Sequence, residues 1–524
     1  MTDLRLTWVQ PEDLLGHELA QATQDGRDPS TIAARWRTAG GAETPSRAGA
    51  SPTPAPPHLR TLAEDLLDEL ADLPSKLAHQ EPTVLDQIKA HCPNWPSRTA
   101  DPQAPGAAPA NLAVGMRAAR GCNPPTTAPQ EPDAAPANLA VGMRAARGGT
   151  GGHSGTLQAQ ASAPTPTSAP TQAHLEAAWL GRAVGCLLGK PVEKLPLHGI
   201  RDLARATGNW PLHTWFTAKG VPAELTHTYP WNKRSAPTSL AENIDGMPED
   251  DDLNYPLLNT LLLQRHGRDF TTTDVARLWL DELPAGRTFT AERIAYRNLL
   301  TGIEPPQTAH HRNPFREWIG ALIRADVHGW TNPGDPAAAA EQAHRDATLT
   351  HTANGVYAAM FTAATIAEAA TATSDIHTCL RTGLTVVPPT SRLAKAIRRA
   401  IQLAGKHDDF DVVVDELHTA HRAYHWVHAI PNTALIAAAL THANGDFSGS
   451  ICRAVSGGWD TDSNGATAGS IAGLLAGDPA ALPDRWTSPL KNRLATSIAD
   501  FNGTGFDTLA QLTHQLTRRE APRP

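Results

Sequence analysis

Two short stretches of this 524-residue chain gather carboxylates more tightly than folding alone requires. The first is Gly246-Met247-Pro248-Glu249-Asp250-Asp251-Asp252-Leu253-Asn254-Tyr255, followed by an apolar run at 257–263. Four consecutive carboxylates repel one another. A helix N-terminus accounts for one or two of them, because acids there cap backbone N–H groups and oppose the macrodipole. Four in a row fit better with a cation that neutralises them. The second stretch is Ser456-Gly457-Gly458-Trp459-Asp460-Thr461-Asp462-Ser463-Asn464, leading into Gly465-Ala466-Thr467-Ala468-Gly469-Ser470-Ile471-Ala472-Gly473. The Gly-Gly pair permits a sharp turn. Asp460 and Asp462 flank Thr461, and Ser463 adds a hydroxyl. Taken alone, this stretch also reads as a capped helix in tight contact with a neighbour, since small residues at 465, 469 and 473 recur every four positions.

Five aspartates and one serine make a set of hard oxygen donors, with no His or Cys inside either cluster. Such a set selects Mg²⁺, Mn²⁺ or Ca²⁺ over Zn²⁺. It is large enough for two ions, each keeping some water. The spacing is not that of an EF-hand loop. A third element is Gly181-Arg182-Ala183-Val184-Gly185-Cys186-Leu187-Leu188-Gly189-Lys190-Pro191-Val192-Glu193. Glycines 181, 185 and 189 share one helix face. Gly189 can end the helix and Pro191 fixes the exit, leaving Glu193 on a loop. Close helix packing and a solvent-facing glutamate explain this stretch equally well by itself. It carries neither dinucleotide-binding nor phosphate-loop spacing, and no strand precedes it.

The three elements, in this order, resemble the ADP-ribosylglycohydrolase family, in which a glycine-rich first helix ending in Glu is followed by Thr-Asp-Asp-Thr and then by Gly-Asp-Thr-Asp-Thr. The resemblance covers about 173–509, and the Gly-Trp-Asp-Thr-Asp-Ser-Asn-Gly-Ala-Thr stretch is its most specific part. It implies a compact, all-α, orthogonal multi-helix bundle with two Mg²⁺ ions, replaceable by Mn²⁺, in a central cleft. Carried over residue by residue, the metal-ligand candidates are Asp250, Asp251, Asp252, Asp460, Asp462 and Ser463. Glu193 and Asp252 are the catalytic candidates, and His351, Gly457 and Gly458 the substrate-binding ones. A shift by one residue would make Glu249, Asp250 and Asp251 the first ligand group. The register 250–252 is preferred because it aligns Tyr255 and Leu257 with the family's helix. Leu253 stands where the family has its second Thr and cannot bind metal. Cys186 stands where Asp is common.

The implied activity is hydrolysis of the glycosidic bond of an ADP-ribosyl group on a protein or a small molecule. The alternatives are a catalytically weak protein of the same fold that binds ADP-ribose or a nucleotide, and a hydrolase of another ribosyl linkage. A scaffold has no use for five gathered carboxylates.

The remaining chain is read as what must position these groups. From about Ala173 it turns Ala- and Leu-rich, with helical patterns at 174–188, 253–265, 272–282, 290–300, 314–325, 336–346, 351–370, 391–403, 411–421, 431–442, 447–455, 465–476 and 488–500. Alternating strand patterns are almost absent. The hydrolase-like domain is assigned to 173–515. A smaller helical region occupies 1–90, as a separate module or as an arm on the main domain. Its leucines at 59, 62, 66, 67, 70 and 73 form a helical stripe stopped by Pro74. Between them, 91–172 holds 13 prolines and a 15-residue duplication at 107–121 and 134–148, so it reads as a disordered linker. The duplicated segment is unconstrained sequence or a short docking helix.

Net charge −8 disfavours long nucleic acid as a partner. Five scattered cysteines fit a reducing compartment. No signal peptide or run of about 18 apolar residues is present, so a cytoplasmic protein with no membrane association is expected, and a monomer.

Overall fold

Glycines 181, 185 and 189 do face a neighbouring backbone, and that neighbour is the helix carrying the second stripe of small residues. In the computed structural model, helix Gln172–Gly189 lies along helix Thr461–Ala476. A Cβ on Gly185 would lie 1.9 Å from the carbonyl oxygen of Gly465, and one on Gly465 would lie 2.2 Å from that of Gly185. Gly181 and Gly469 repeat this reciprocal contact one turn away, at 2.1 and 2.0 Å. Gly473 meets Ala177, and Gly189 meets Thr461. The two stripes are one seam, in which backbone touches backbone.

The structure describes residues 4–44, 49–97 and 170–518. Most of the 91–172 linker, the duplicated segment and Cys122 lie outside them. The described residues are helical throughout, with no strand and only two isolated bridges, Met247 with Leu494 and Trp318 with His428. Several helices begin where side chains satisfy the free N–H groups of the first turn. Asp335, Asp375, Ser391 and Asp446 each accept one, worth about 1 kcal/mol apiece. The core is apolar and Ala-rich. Helices Ala353–Ala369 and Ala429–His442 are buried on nearly every face. That matches their lack of a polar stripe.

Two expected helices are absent. The 314–325 segment is a turn followed by a 3₁₀ stretch, Ile319–Arg324. In 488–500 the four-residue spacing of Leu490, Leu494 and Ile498 imitates a helix. Only Ser488–Leu490 is helical, because Lys491 and Asn492 adopt left-handed backbone and reverse the chain. Helices Leu197–Ala206, Ile376–Thr385 and Phe506–Arg518 were not expected.

Residues 4–97 belong to the same compact unit as 170–518. Besides the leucine-striped helix Pro57–Asp72, they form helices Pro11–Gln24 and Ser30–Thr38. Buried ion pairs and hydrogen bonds tie them to the C-terminal helices. Arg316 pairs with Glu18 at 2.6 Å and with Asp25 at 2.6 Å. Arg392 pairs with Glu81 at 2.7 Å and with Glu317 at 2.9 Å. Gln21 donates to Glu317 at 2.9 Å. This region is an arm on the main body. The Asn313–Gly320 stretch, through Arg316 and Glu317, is part of its dock.

Candidate active site

The glycine seam ends at the acids. Thr461 opens its helix and donates its hydroxyl to the Gly189 carbonyl at 2.8 Å, so the last turn of one glycine helix is tied to the first turn of the other. Pro191 and Val192 then carry the chain to Glu193. On the other side, Gly458 and Trp459 both adopt left-handed backbone, φ 80° and 59°, and deliver Asp460 and Asp462 to the same place. Trp459 pays for its strained conformation by stacking on His418, ring centroids 4.1 Å apart. Carboxylate oxygens of Glu193, Asp460 and Asp462 lie within 4.8 Å of one another.

The first acidic stretch reaches the site from helix Asp251–His266. Asp250 caps it, accepting the Asp252 N–H at 2.9 Å. Pro256, one turn in, has no N–H for the carbonyl of Asp252 four residues back. Arg182 supplies the missing donor, its Nε bonding that oxygen at 2.7 Å. The same guanidinium is fully buried and bonds Asp326 at 2.9 Å.

These elements enclose a cleft of about 600 Å³. Glu193, Asp250, Asp251, Asp460, Asp462 and Ser463 line it. Asp252 does not. Its carboxylate is buried and faces Arg182 at 3.5 Å, close to Cys186 and Asp250. Glu249 does line the cleft, paired with Arg287 at 2.7 Å. The carboxylates of the first motif that line the cleft are therefore Glu249, Asp250 and Asp251. Leu253 is buried in the core. His351 also lies beneath the surface, fully buried, its Nδ1 on Thr350 Oγ1 at 2.6 Å and 3.9 Å from Glu292. Gly457 and Gly458 do not line the cleft. The Gly457 carbonyl is bonded to His418 at 2.8 Å, and the two glycines serve the turn.

Charge is unevenly balanced here. Lys190, buried, pairs with Asp250, and Lys194 with Glu193 at 2.9 Å. Among the described residues no Lys or Arg pairs with Asp251, Asp460 or Asp462. Burial and the Glu193 carboxylate push Asp462 up to about 7. Burial and neighbouring aspartates push Asp251 and Asp460 well above the usual range. At Asp250 burial acts the same way, but the Lys190 ammonium prevails and holds it low. A group of hard-oxygen acids short of positive charge is the donor set a divalent cation fits.

The family model for ADP-ribosylglycohydrolase matches residues 167–523. The chain belongs to the ADP-ribosylglycohydrolase family. Membership makes it a glycohydrolase and gives its helical bundle the family's fold. A solved structure described as an ADP-ribosylglycohydrolase-related protein complex is 22% identical, with a TM-score of 0.41, over 66% of this chain and 98% of that one. No curated protein matches the chain. Among the described residues no helix is long and apolar enough to cross a membrane.

Several lining residues of this glycohydrolase lie outside the motifs. Asn232 donates to Glu193 at 2.7 Å. Arg234 stands over Phe289, its guanidinium carbon 5.5 Å from the ring centroid. Trp426 carries Lys194 over its ring at 5.7 Å. Thr7 and Trp8 reach the cleft from the N-terminal arm. An arginine in the apolar run 177–188 was a usable signal for Arg182, because an unpaired charge there would be costly. No local pattern marks Trp8 or Asn232.

Proposed function

We propose that this chain hydrolyses the glycosidic bond at the anomeric carbon of an ADP-ribosyl group, carried by a protein or a small molecule, and that Mg²⁺ or Mn²⁺ at the aspartates is required. The reading rests on the convergence of Glu193, Asp460 and Asp462 within 4.8 Å at the wall of one large cleft. Asp251, Asp460, Asp462 and Ser463 would hold the cation, with Asp250 and Glu249 beside them. When bound, a divalent cation offsets these charges and stabilises negative charge on oxygen.

The chain's own residues have separate tasks. Glu193 is oriented through both carboxylate oxygens, by Asn232 and by Lys194. It takes the proton of the attacking water. The water oxygen bonds to the anomeric carbon as the bond to the leaving nitrogen or oxygen breaks, and the leaving atom receives the proton that Glu193 took from the water. Arg234 has no carboxylate partner among the described residues, and its charge suits the pyrophosphate. Asp252 keeps Arg182 in place and acts on the site through helix position. The glycine seam holds Glu193 against Asp460 and Asp462, so the geometry is set before substrate arrives.

A release assay tests the proposal. Arginine-, serine- and small-molecule-linked ADP-ribose are each incubated with the full chain, with Mg²⁺ and with excess chelator. Release from at least one substrate, lost on chelation, is expected. Full turnover in chelator refutes the metal requirement. No release from any substrate refutes the hydrolase reading.

A further inference from the structure

The family match begins at residue 167, yet the cleft is lined by two residues far upstream of it, Thr7 and Trp8. Their placement is built. The Trp8 backbone N–H donates to the Gly49 carbonyl at 2.6 Å, and Thr7 Oγ1 accepts from Arg293 at 2.7 Å. Trp8 adopts left-handed backbone, φ 65°, a conformation that a bulky residue keeps only when its surroundings impose it. Phe315 and Trp318 meet its ring nearly at right angles, at 5.5 and 6.2 Å between centroids. The indole stays half-buried, and among the described residues no acceptor meets its N–H.

Three aromatic side chains line the cleft: Trp8, Phe289 and Trp426. Phe289 has Arg234 and Arg293 over its ring, each at 5.5 Å. Trp426 has Lys194 at 5.7 Å and His425 at 5.6 Å. Trp8 has His17 at 6.3 Å, and among the described residues no lysine or arginine lies over its ring. It lines the cleft while packing against the core, and among the described residues no ion pair or hydrogen bond links it to the carboxylates.

We infer that the N-terminal arm completes the substrate site and that Trp8 is its specificity-determining residue, stacking on the purine of the ADP-ribosyl group. The inference rests on the function proposed above. An ADP-ribosyl group has one flat aromatic surface, the purine, and its sugar hydroxyls and phosphates seek oxygen and cationic partners. A half-buried indole at the cleft wall, with no lysine or arginine over it among the described residues, suits the purine and none of the rest. The family-like part of the chain then supplies the reacting end of the site, and the arm supplies the grip on the distant end.

The test is calorimetric titration of the full-length protein, in Mg²⁺, with ADP-ribose and with ribose 5-phosphate, which lacks the purine. Stacking on one base makes W8A weaken ADP-ribose binding by about tenfold or more. W8F stays within about threefold of the parent, and ribose 5-phosphate binds W8A and the parent alike. W8L keeps apolar packing on Phe315 without a flat face, and should weaken ADP-ribose binding as W8A does even if W8A disturbs the arm. Equal binding of ADP-ribose by the parent and by a folded W8A or W8L overturns the inference. An equal loss of both ligands also overturns it, since that is general damage. If the parent binds neither ligand, the proposed function fails and this inference fails with it.

Discussion

Gly185→Ala adds one methyl group to the middle of the seam, and its effect can be worked from the contacts. The new Cβ would lie 1.9 Å from the Gly465 carbonyl oxygen and 2.3 Å from its carbon. Real side chains do not approach closer than 3.0 Å, so the helices must part by about 1 Å. Neither obstacle is a flexible side chain. Overpacking of this kind costs about 1–3 kcal/mol. The gain of about 1 kcal/mol from better helix propensity offsets only part of that. Activity should suffer more than stability. Glu193 leaves the end of one helix and Asp460 and Asp462 start the other, so parting them separates the site's two halves. A misplacement of 1 Å costs on the order of 100-fold in rate. The measurement is kcat for ADP-ribose release beside the thermal midpoint, with G405A as control. A Cβ on helical Gly405 meets nothing within 4 Å, so G405A should be neutral or stabilising. If G185A keeps full activity and the parent's midpoint, the seam does not position the site.

Three further outcomes are expected. Asp460→Asn and Asp251→Asn should each abolish chelator-sensitive release while helical circular dichroism stays unchanged; retained turnover would remove these residues from the machinery. Raised carboxyls make the metal-free protein pH-sensitive. The stability that Asp462 contributes is fully present below its unfolded value near 3.9 and is lost as the pH rises through about 7. The chelated parent should therefore lose more thermal midpoint than D462N between pH 5 and 8. The comparison with D462N removes the opposite drift of buried histidines such as His17, lowered by burial to about 4. Equal slopes would show that Asp462 does not ionise in that window. Arg316→Met leaves Glu18 and Asp25 without their shared partner, and should cost about 3–5 kcal/mol in urea unfolding; a loss under 1 kcal/mol would mean that this buried pair does not hold the arm.

What the sequence reveals here follows the range of the interactions. The glycine stripes, the Asp-x-Asp turn and the helical class are local patterns, and each is where residue spacing puts it. The two stripes pair with each other, which neither shows alone. The register of the first acidic motif depends on which carboxylates turn inward. Identical neighbours Asp250, Asp251 and Asp252 give no local sign of that. Arg182 is what holds Asp252 off the cleft wall, through a carbonyl that Pro256 leaves free. The false helix at 488–500 shows that leucine spacing is outweighed by two consecutive left-handed residues. That the N-terminal region could be an arm was legible, but Trp8's place in the cleft and the arm's partners were out of reach, because Arg316 and Phe315 lie some 300 positions away and carry no pattern in common with it.

That separation bears on how the protein is made. Glu18 waits for Arg316, which is synthesised 298 residues later, and Glu81 waits for Arg392, 311 residues later. At about 5–20 residues per second, the gap between Glu18 and Arg316 is roughly 15–60 s of translation. Throughout that interval helices Pro11–Gln24 and Pro57–Asp72 lack their dock, and Glu18 and Glu81 lack the arginines that pair with them. A ribosome that stalls before residue 316 would release a chain whose arm has no dock, a product for proteases and chaperones.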